Sequence, residues 1–141
     1  MRCSWRISRS PAESVSVPAE HWKDDPEEHD FPAATDYLTL LFTVDEVASL
    51  VQGLRSGETV HRKAKDLLRA SDLPLLPQDN AHVKNDLAKV ADGKHLSPVL
   101  LVRGRAETNV PLTVADGYHR VCASYHLDEN ADVPCRLVEL P

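Results

Sequence analysis

The order of short apolar runs and helical patterns along the second half of the chain limits the folds open to it. Residues 97–102 (S-P-V-L-L-V) form a continuous apolar run, which is typical of a buried strand. Over residues 72–138 the predicted order is extended segment, helix, strand, strand, helix, strand. This order predicts an α+β fold, in which helices pack against a small mixed β-sheet.

Caps and helix-breaking residues set the bounds of the other elements in this half. Asp79 or Asn80 caps a helix over 81–91, and Gly93 ends it. Residues 72–77 (D-L-P-L-L-P) contain too much proline for a helix and predict an extended edge strand. The remaining predicted elements are strands over 111–115 and 133–138 and a short helix over 118–126.

The first half of the chain is predicted to be helical. Apolar residues recur at helical spacing from Thr35 to Phe42 and predict a first helix there. Thr43 and Glu46 form a capping box, which predicts a second helix that begins at Val44 and ends at Gly57. Its inward face is predicted to carry Val47, Leu50, Val51 and Leu54. A third helix is predicted over 59–70, with an outer basic face formed by Arg62, Lys63, Lys65 and Arg69.

These patterns divide the chain into three parts. Residues 1–32 are rich in Pro, Ser and acidic side chains and predict a flexible acidic tail, because such a segment buries too little apolar surface to offset its ordering entropy. Trp5, Trp22 and Phe31 are the exceptions that could dock on the body. Residues 33–71 form an N-terminal helical region, and residues 72–141 form the α+β domain.

The charge balance bears on the choice of partners. The chain has 16 Lys and Arg against 22 Asp and Glu, a net charge of −6. An acidic total argues against non-specific binding to duplex DNA, which needs many phosphate contacts. The basic stretch from His61 to Arg69 is therefore interpreted as a solvated helix face rather than a nucleic-acid patch.

The cysteines and the hydropathy pattern predict a cytoplasmic protein. Cys3, Cys122 and Cys135 are odd in number and have no C-x-x-C spacing, so neither a disulfide framework nor a zinc site is indicated. His119 and His126 lie two helical turns apart, but no third ligand is evident, and we predict no metal site. No apolar run approaches the length that spans a bilayer, and no secretory signal is recognised, so no membrane association is expected.

Residues 113–123 (T-V-A-D-G-Y-H-R-V-C-A) carry the most functional information. An apolar strand ends at Gly117 and a helix opens immediately after it. The first amides of a helix lack intrahelical partners and carry partial positive charge, so they bind phosphates readily. His119 and Arg120 add side-chain donors in the same turn. The pattern predicts an anion cradle, although D-G is also an ordinary turn.

This motif resembles the G-x-H-R and G-x-R-R signatures of the ParB/sulfiredoxin-like superfamily. The match comprises D-G-Y-H-R at 116–120 with Ala123, the helix and strand over 83–102, and the V-P-C-R-L-V strand over 133–138. It covers about residues 72–139, roughly half of the chain, a size that suits a small domain. The resemblance implies the small mixed sheet of that superfamily, here with an N-terminal helical extension.

The resemblance also implies a nucleotide site. The equivalent turn holds ATP phosphates in sulfiredoxins and CTP in ParB proteins, so Gly117, His119 and Arg120 would be phosphate ligands here. The helix before it contributes polar residues in sulfiredoxins, and the matching positions are His82, Asn85 and Lys89. Tyr118 is a further candidate, which would either stack on the base or simply shield the turn. Asp116 would position Mg²⁺ or an acceptor hydroxyl, unless it is only a turn former.

The departures from the family narrow the activities expected. Tyr118 occupies the position of the sulfiredoxin cysteine, so sulfinate reduction is not expected, and Cys122 is interpreted as a core residue. A ParB-type helix-turn-helix is not expected after residue 139, so a partition role that reads DNA as ParB does is not expected either. The leading hypothesis is nucleotide-dependent phosphoryl transfer or hydrolysis, with Asp116, His119 and Arg120 as catalytic residues. The alternatives are a non-catalytic regulator or adaptor, which binds a protein partner or a second copy, and a nuclease.

Overall fold

The computed structural model describes residues 21–141. The helices are α1 (Asp30–Leu38), α2 (Val44–Ser56), α3 (Ala64–Ser71), α4 (Ala81–Ala91) and α5 (Tyr118–Leu127). The strands are β1 (Val60–Lys63), β2 (Val99–Val102), β3 (Thr113–Asp116) and β4 (Asp132–Val138), and a short 3₁₀ turn spans Ala106–Thr108. These elements confirm the predicted α+β class.

The four strands form one mixed sheet in the order β1-β4-β2-β3. Strand β2 pairs parallel with β4, with Leu101 opposite Leu137, and antiparallel with β3. Strand β1 pairs antiparallel with β4, with Val60 opposite Cys135. The site motif therefore begins at one edge of the sheet, where β3 ends, while β1 forms the opposite edge.

Strand β2 separates two hydrophobic cores. Val99 and Leu101 pack on one face with residues of α3, α4 and α5, and Leu100 and Val102 pack on the other with residues of α1 and α2. All four side chains are buried. Helices on both faces of the sheet explain why this strand is an unbroken apolar run, because a strand covered on both sides has no face to present to water.

Several predicted helix ends are confirmed. The Thr43 hydroxyl accepts from the Glu46 amide, and the Glu46 carboxylate accepts from the Thr43 amide, so the capping box is formed in full. Helix α2 ends before Gly57 as predicted. Asn80 caps α4 by accepting from the amides of His82 and Val83. Because caps depend on local geometry, they can be recognised from sequence alone.

The predicted third helix over 59–70 is wrong in its first part. Residues Val60–Lys63 form the edge strand β1, and α3 begins only at Ala64, without a side-chain cap at Lys63. All four residues of β1 are exposed, and charged side chains suit an edge strand because they discourage pairing with other chains. The basic stretch is therefore divided between a strand edge and the face of α3.

Two other elements also differ from prediction. Residues 72–77 form no strand, and Asp72 adopts a left-handed conformation (φ 56°) that ends α3. Pro74 and Pro77 lack the amide donors that pairing with a neighbouring strand would use. Helix α1 begins at Asp30, five residues before the predicted start at Thr35, and it ends at Leu38.

The acidic segment that was expected to be a flexible tail is packed over its described part. Residues 1–20, including Trp5, lie outside the described residues. Trp22 is buried, and the chain on either side of it exchanges backbone hydrogen bonds with Leu96 (2.7 Å each). Phe31 is buried in the core beneath α1 and α2. Residues 21–32 are thus part of the folded body. The sheet also combines β1, which precedes residue 71, with β2, β3 and β4, which follow it.

Candidate functional site between α4 and α5

Gly117 makes the turn from β3 into α5. Its φ is +111°, a conformation that residues with side chains rarely adopt. A Cβ atom there would lie 2.4 Å from Cγ1 of Val99 and 2.9 Å from Nη2 of Arg120. Only glycine fits this position. The turn leads directly into α5, whose first amides lack intrahelical partners.

A cavity of about 230 Å³ lies beside this turn, between α4 and α5. Its lining is polar and comes from both helices and from the end of β3. The lining residues are His82, Asn85, Asp86, Lys89, Asp116, Gly117, His119 and Arg120. The structure therefore brings together every predicted site residue except Tyr118, and it adds Asp86.

Helix α4 places several polar side chains in the cavity lining because their spacing puts them on one face of the helix. His82, Asn85 and Lys89 lie at i, i+3 and i+7 and face the cavity, as the pattern predicts. Asp86 lies at i+4 from His82 on the same face, and it is the most buried of the four. Sequence reasoning missed Asp86, although the same spacing rule places it there.

Arg120 is held by carboxylates from two other elements. Its Nη2 donates to Oδ2 of Asp116 (2.9 Å) and to the carbonyl oxygen of Pro98 (3.3 Å). Its Nη1 lies 4.0 Å from Oδ1 of Asp30, a carboxylate only 2% exposed in the first turn of α1. The Nε of Arg120 is buried without a hydrogen-bond partner in the described part of the chain. Arg120 is thus oriented by ion pairs before any ligand arrives.

Asp30 is a site-supporting residue that the sequence did not reveal. It belongs to the segment interpreted as an acidic tail, far from the motif along the chain. Its Oδ2 accepts a hydrogen bond from the Glu27 amide (2.9 Å), and α1 packs against β3 beside Asp116. No local pattern distinguishes this carboxylate from the exposed acids around it.

Burial shifts the ionisation of both carboxylates that line the cavity. Burial raises the pKa of Asp86, and the charges of Arg120 and Lys89 oppose that rise. Burial also raises the pKa of Asp116, where the charge and hydrogen bond of Arg120 oppose the rise and neighbouring Asp30 adds to it. Each carboxylate is therefore easier to protonate than an exposed one.

The two histidines of the cavity lie against each other. The ring centroids of His82 and His119 are 4.6 Å apart. Burial lowers the pKa of His119, and neighbouring His82 lowers it further, while Asp86 opposes the change. The His119 imidazole is thus held in its neutral form more firmly than a free histidine.

Tyr118 does not line the cavity but lies next to it. Its hydroxyl donates to the carbonyl oxygen of Pro74, and its ring lies 5.6 Å from that of His119, centroid to centroid. Nε2 of His126 lies 2.7 Å from the carbonyl oxygen of Leu76. Tyr118 and His126 thus connect the irregular segment after α3 to helix α5. Cys122 lies between them along α5 and is fully buried, and burial raises the pKa of its thiol.

No metal cluster is evident in the described residues. Within residues 21–141 there is no group of three or more His, Cys, Asp or Glu side chains placed to hold a metal ion. His119 faces the cavity, whereas His126 contacts the segment at Leu76. The cavity places nitrogen donors, which can bind anionic oxygens, next to two carboxylates, which repel anions.

The chain matches no family model, no curated protein and no solved structure. The likeness of the D-G-Y-H-R motif to ParB and sulfiredoxin proteins therefore remains a resemblance. None of the helices in residues 21–141 is both long and apolar enough to cross a bilayer.

Proposed function

We propose that this protein binds a nucleotide by its phosphate groups in the cavity between α4 and α5. The observation that carries the proposal is the convergence of Lys89, His82 and His119 on the glycine turn at the start of α5. A helix N-terminus flanked by cationic and imidazole donors is a site suited to phosphate.

The cavity dimensions suit the phosphates rather than the whole ligand. Its volume of about 230 Å³ is smaller than the roughly 300–1,000 Å³ of pockets that enclose a whole drug-sized ligand. The phosphate end of ATP or CTP would enter the cavity, and the sugar and base would lie over its rim. Mg²⁺ is commonly held by one or two carboxylates together with substrate phosphates, and Asp116 in the cavity lining is the carboxylate we propose for that role.

A catalytic version of the proposal is favoured by the carboxylates in the cavity. Phosphoryl transfer needs positive groups on the developing phosphate charge and a carboxylate that orients the attacking hydroxyl or water. Arg120 and His119 would supply the first, and Asp116 was expected to supply the second. We keep this orienting role for Asp116, which lines the cavity and is itself held in place by Arg120. A reducing cytoplasm, where these nucleotides occur, is the location we propose.

The test is calorimetric and thermal titration with ATP, CTP, GTP and ADP, each with and without Mg²⁺. A ligand that binds only the native state raises its melting temperature. Lys89→Gln is the informative variant, because Lys89 lines the cavity and is exposed, so its replacement should not affect folding. Lys84→Gln is the matched control, since Lys84 is an exposed lysine of the same helix outside the cavity lining.

Binding that weakens at least tenfold in Lys89→Gln and is unchanged in Lys84→Gln would support the proposal, a loss of about 1.4 kcal/mol. Released phosphate, or transfer to an added alcohol, would support the catalytic version. If none of the four nucleotides binds, or if the two variants lose affinity equally, the proposed nucleotide site is contradicted.

A second candidate function, a protein-binding adaptor, is favoured by an exposed apolar corner between α1 and α2. Tyr37, Leu40, Leu41 and Val44 are all exposed there, Leu40 by 80% and Val44 by 78%. An adjacent groove of about 280 Å³ between the two helices has a mainly apolar lining. Apolar side chains clustered on a surface are typical of protein interaction sites.

The adaptor function is tested first as self-association. Sedimentation equilibrium should show a dimer that the double variant Leu40→Ser/Leu41→Ser converts to monomer. A wild-type chain that is monomeric throughout a millimolar range would exclude a second copy as the partner. The nuclease alternative gains no support, because the basic strand β1 and the cavity lie at opposite edges of the sheet.

A further inference from the structure

The cavity between α4 and α5 has balanced charges before a ligand enters. Lys89 and Arg120 are its cations, and Asp86 and Asp116 are its anions. With both histidines neutral, the formal charge of the lining is zero. Asp30, which faces Arg120 from α1, adds another negative charge behind the lining. A site for a multiply charged phosphate would ordinarily carry net positive charge.

The groups that face one another come from four elements. Helix α4 presents His82, Asp86 and Lys89, and helix α5 presents His119 and Arg120. Strand β3 presents Asp116, and α1 presents Asp30. Arg120 is the one cation bound tightly to a carboxylate, at 2.9 Å from Asp116, so its charge is largely neutralised within the protein.

We infer that binding of a phosphate anion in this cavity takes up a proton from solution, held between Asp86 and His119. This inference rests on the proposed function, because it describes how that same site accommodates its ligand. The ligand class it implies is a terminal phosphate with several free oxygens, since a protonated carboxyl, an imidazolium and the α5 amides are all donors.

The physical reason is linkage between the ligand charge and the titratable groups. An incoming anion favours the protonated form of any acid or imidazole beside it. Asp86 is already easier to protonate than an exposed aspartate because it is buried. When the proton is bound, the carboxylate that would repel phosphate becomes a donor to it, and the cavity acquires the positive charge that it lacks.

His119 is the second acceptor of the proton and lies in contact with His82. In the free protein its imidazole is kept neutral, with burial and the neighbouring His82 as the main causes. A phosphate between His119 and the helix terminus offsets both effects. The proton is therefore shared between Asp86 on α4 and His119 on α5, and the phosphate bridges these two side chains.

The experiment is calorimetric titration of the protein with ATP at pH 8, in buffers with different heats of ionisation. The terminal phosphate of ATP ionises near pH 6, so at pH 8 it carries almost no proton of its own. The slope of apparent binding enthalpy against buffer ionisation enthalpy counts the protons taken up. We expect about one proton per ATP bound, together with affinity that increases by roughly tenfold for each pH unit lowered between pH 8 and pH 7.

Asp86→Asn provides a test that a merely structural role would not satisfy. The amide has the shape of the protonated carboxyl but carries no charge, so ATP should bind more tightly than to wild type at pH 8, by about tenfold. The proton count and the pH dependence should both decrease. Asp92→Asn, an exposed change at the end of the same helix, should alter none of these quantities.

The outcomes separate this inference from the proposed function. ATP binding with a slope of zero, or weaker binding by Asp86→Asn, overturns the proton uptake and leaves the nucleotide site standing. An absence of ATP binding from pH 6 to pH 8 contradicts the proposed function itself. Circular dichroism and melting of both variants would show that neither result reflects unfolding.

Discussion

The guanidinium of Arg120 donates to the carboxylate of Asp116, four residues earlier at the end of β3, with Nη2 2.9 Å from Oδ2. Both side chains are largely buried, 16% and 17% exposed, and Asp30 lies behind them. The pair connects the end of β3 to the first turn of α5. Arg120 therefore both lines the cavity and neutralises the acids that β3 and α1 bring to it.

Removing the guanidinium should destabilise the protein because it leaves carboxylates buried without their cation. We expect Arg120→Ala to lower the free energy of unfolding by about 3 kcal/mol at pH 7. The double variant Arg120→Ala/Asp116→Asn should recover part of the loss, and the loss should decrease as acid protonates Asp116, whose pKa burial raises. Urea unfolding at pH 7 and pH 4.5 measures both effects. A single-variant loss below about 0.5 kcal/mol would show that the pair is unimportant for stability.

The glycine turn should tolerate no side chain. Gly117→Ala would place Cβ in contact with Val99 in an unfavourable backbone conformation, and we expect a loss of about 3 kcal/mol or more. Gly93→Ala is the matched comparison, because Gly93 also has positive φ (+78°) but has open space around it. It should cost only about 1–2 kcal/mol, the price of the backbone conformation alone. Equal losses would indicate that the contact with Val99 relaxes freely.

Much of the fold and the cavity could be predicted because the signals are local. The cap at Asn80 and the break at Gly117 each depend on residues close together in sequence. The resemblance singled out His82, Asn85 and Lys89, and their helical spacing then predicts that they share a face. The apolar run of β2 depends only on its own composition. Such patterns specify an element and its inward face without knowledge of the rest of the chain.

The missed features depend on contacts between distant parts of the chain. Strand β1 is only four exposed residues long, and it is a strand because β4 pairs with it. Asp30 supports the site because α1 packs beside β3, and nothing in its neighbourhood distinguishes it from Glu27 or Glu28. The hydrogen bond from the Tyr118 hydroxyl to the Pro74 carbonyl oxygen likewise joins residues 44 positions apart, so no local pattern could predict it.

Arg136 on β4 is buried and connects the end of α2 to the sheet, so its replacement should destabilise the packing of α2 on the sheet. Its Nη1 donates to the carbonyl oxygens of Leu54 (3.0 Å) and Arg55 (2.8 Å), which the end of α2 leaves unpaired. We expect Arg136→Met to reduce the free energy of unfolding by about 2–3 kcal/mol, because the carbonyls lose charged donors. Arg103→Met is the control: Arg103 forms an exposed pair with Glu139, and its loss should cost less than about 1 kcal/mol. Urea unfolding of the two variants should separate them clearly.

The contribution of Asp86 to the free energy of unfolding should be less favourable at neutral pH than at acid pH, and replacement of Asp86 should reveal this difference. Burial raises the pKa of Asp86, so the folded state holds the proton more tightly than the unfolded chain. The stabilisation that comes from this tighter proton binding is fully present below about pH 3.9, the pKa of aspartate in the unfolded chain. It is lost as the pH rises through the pKa of Asp86 in the folded state. Asp86→Asn should therefore melt a few degrees above wild type at pH 7, a shift that corresponds to about 1 kcal/mol in a chain of this size. The difference should decrease toward zero near pH 4, as differential scanning calorimetry would show. A variant that melts below wild type at pH 7 would mean that the charges of Arg120 and Lys89 outweigh burial, and that the carboxylate stabilises the site as an anion.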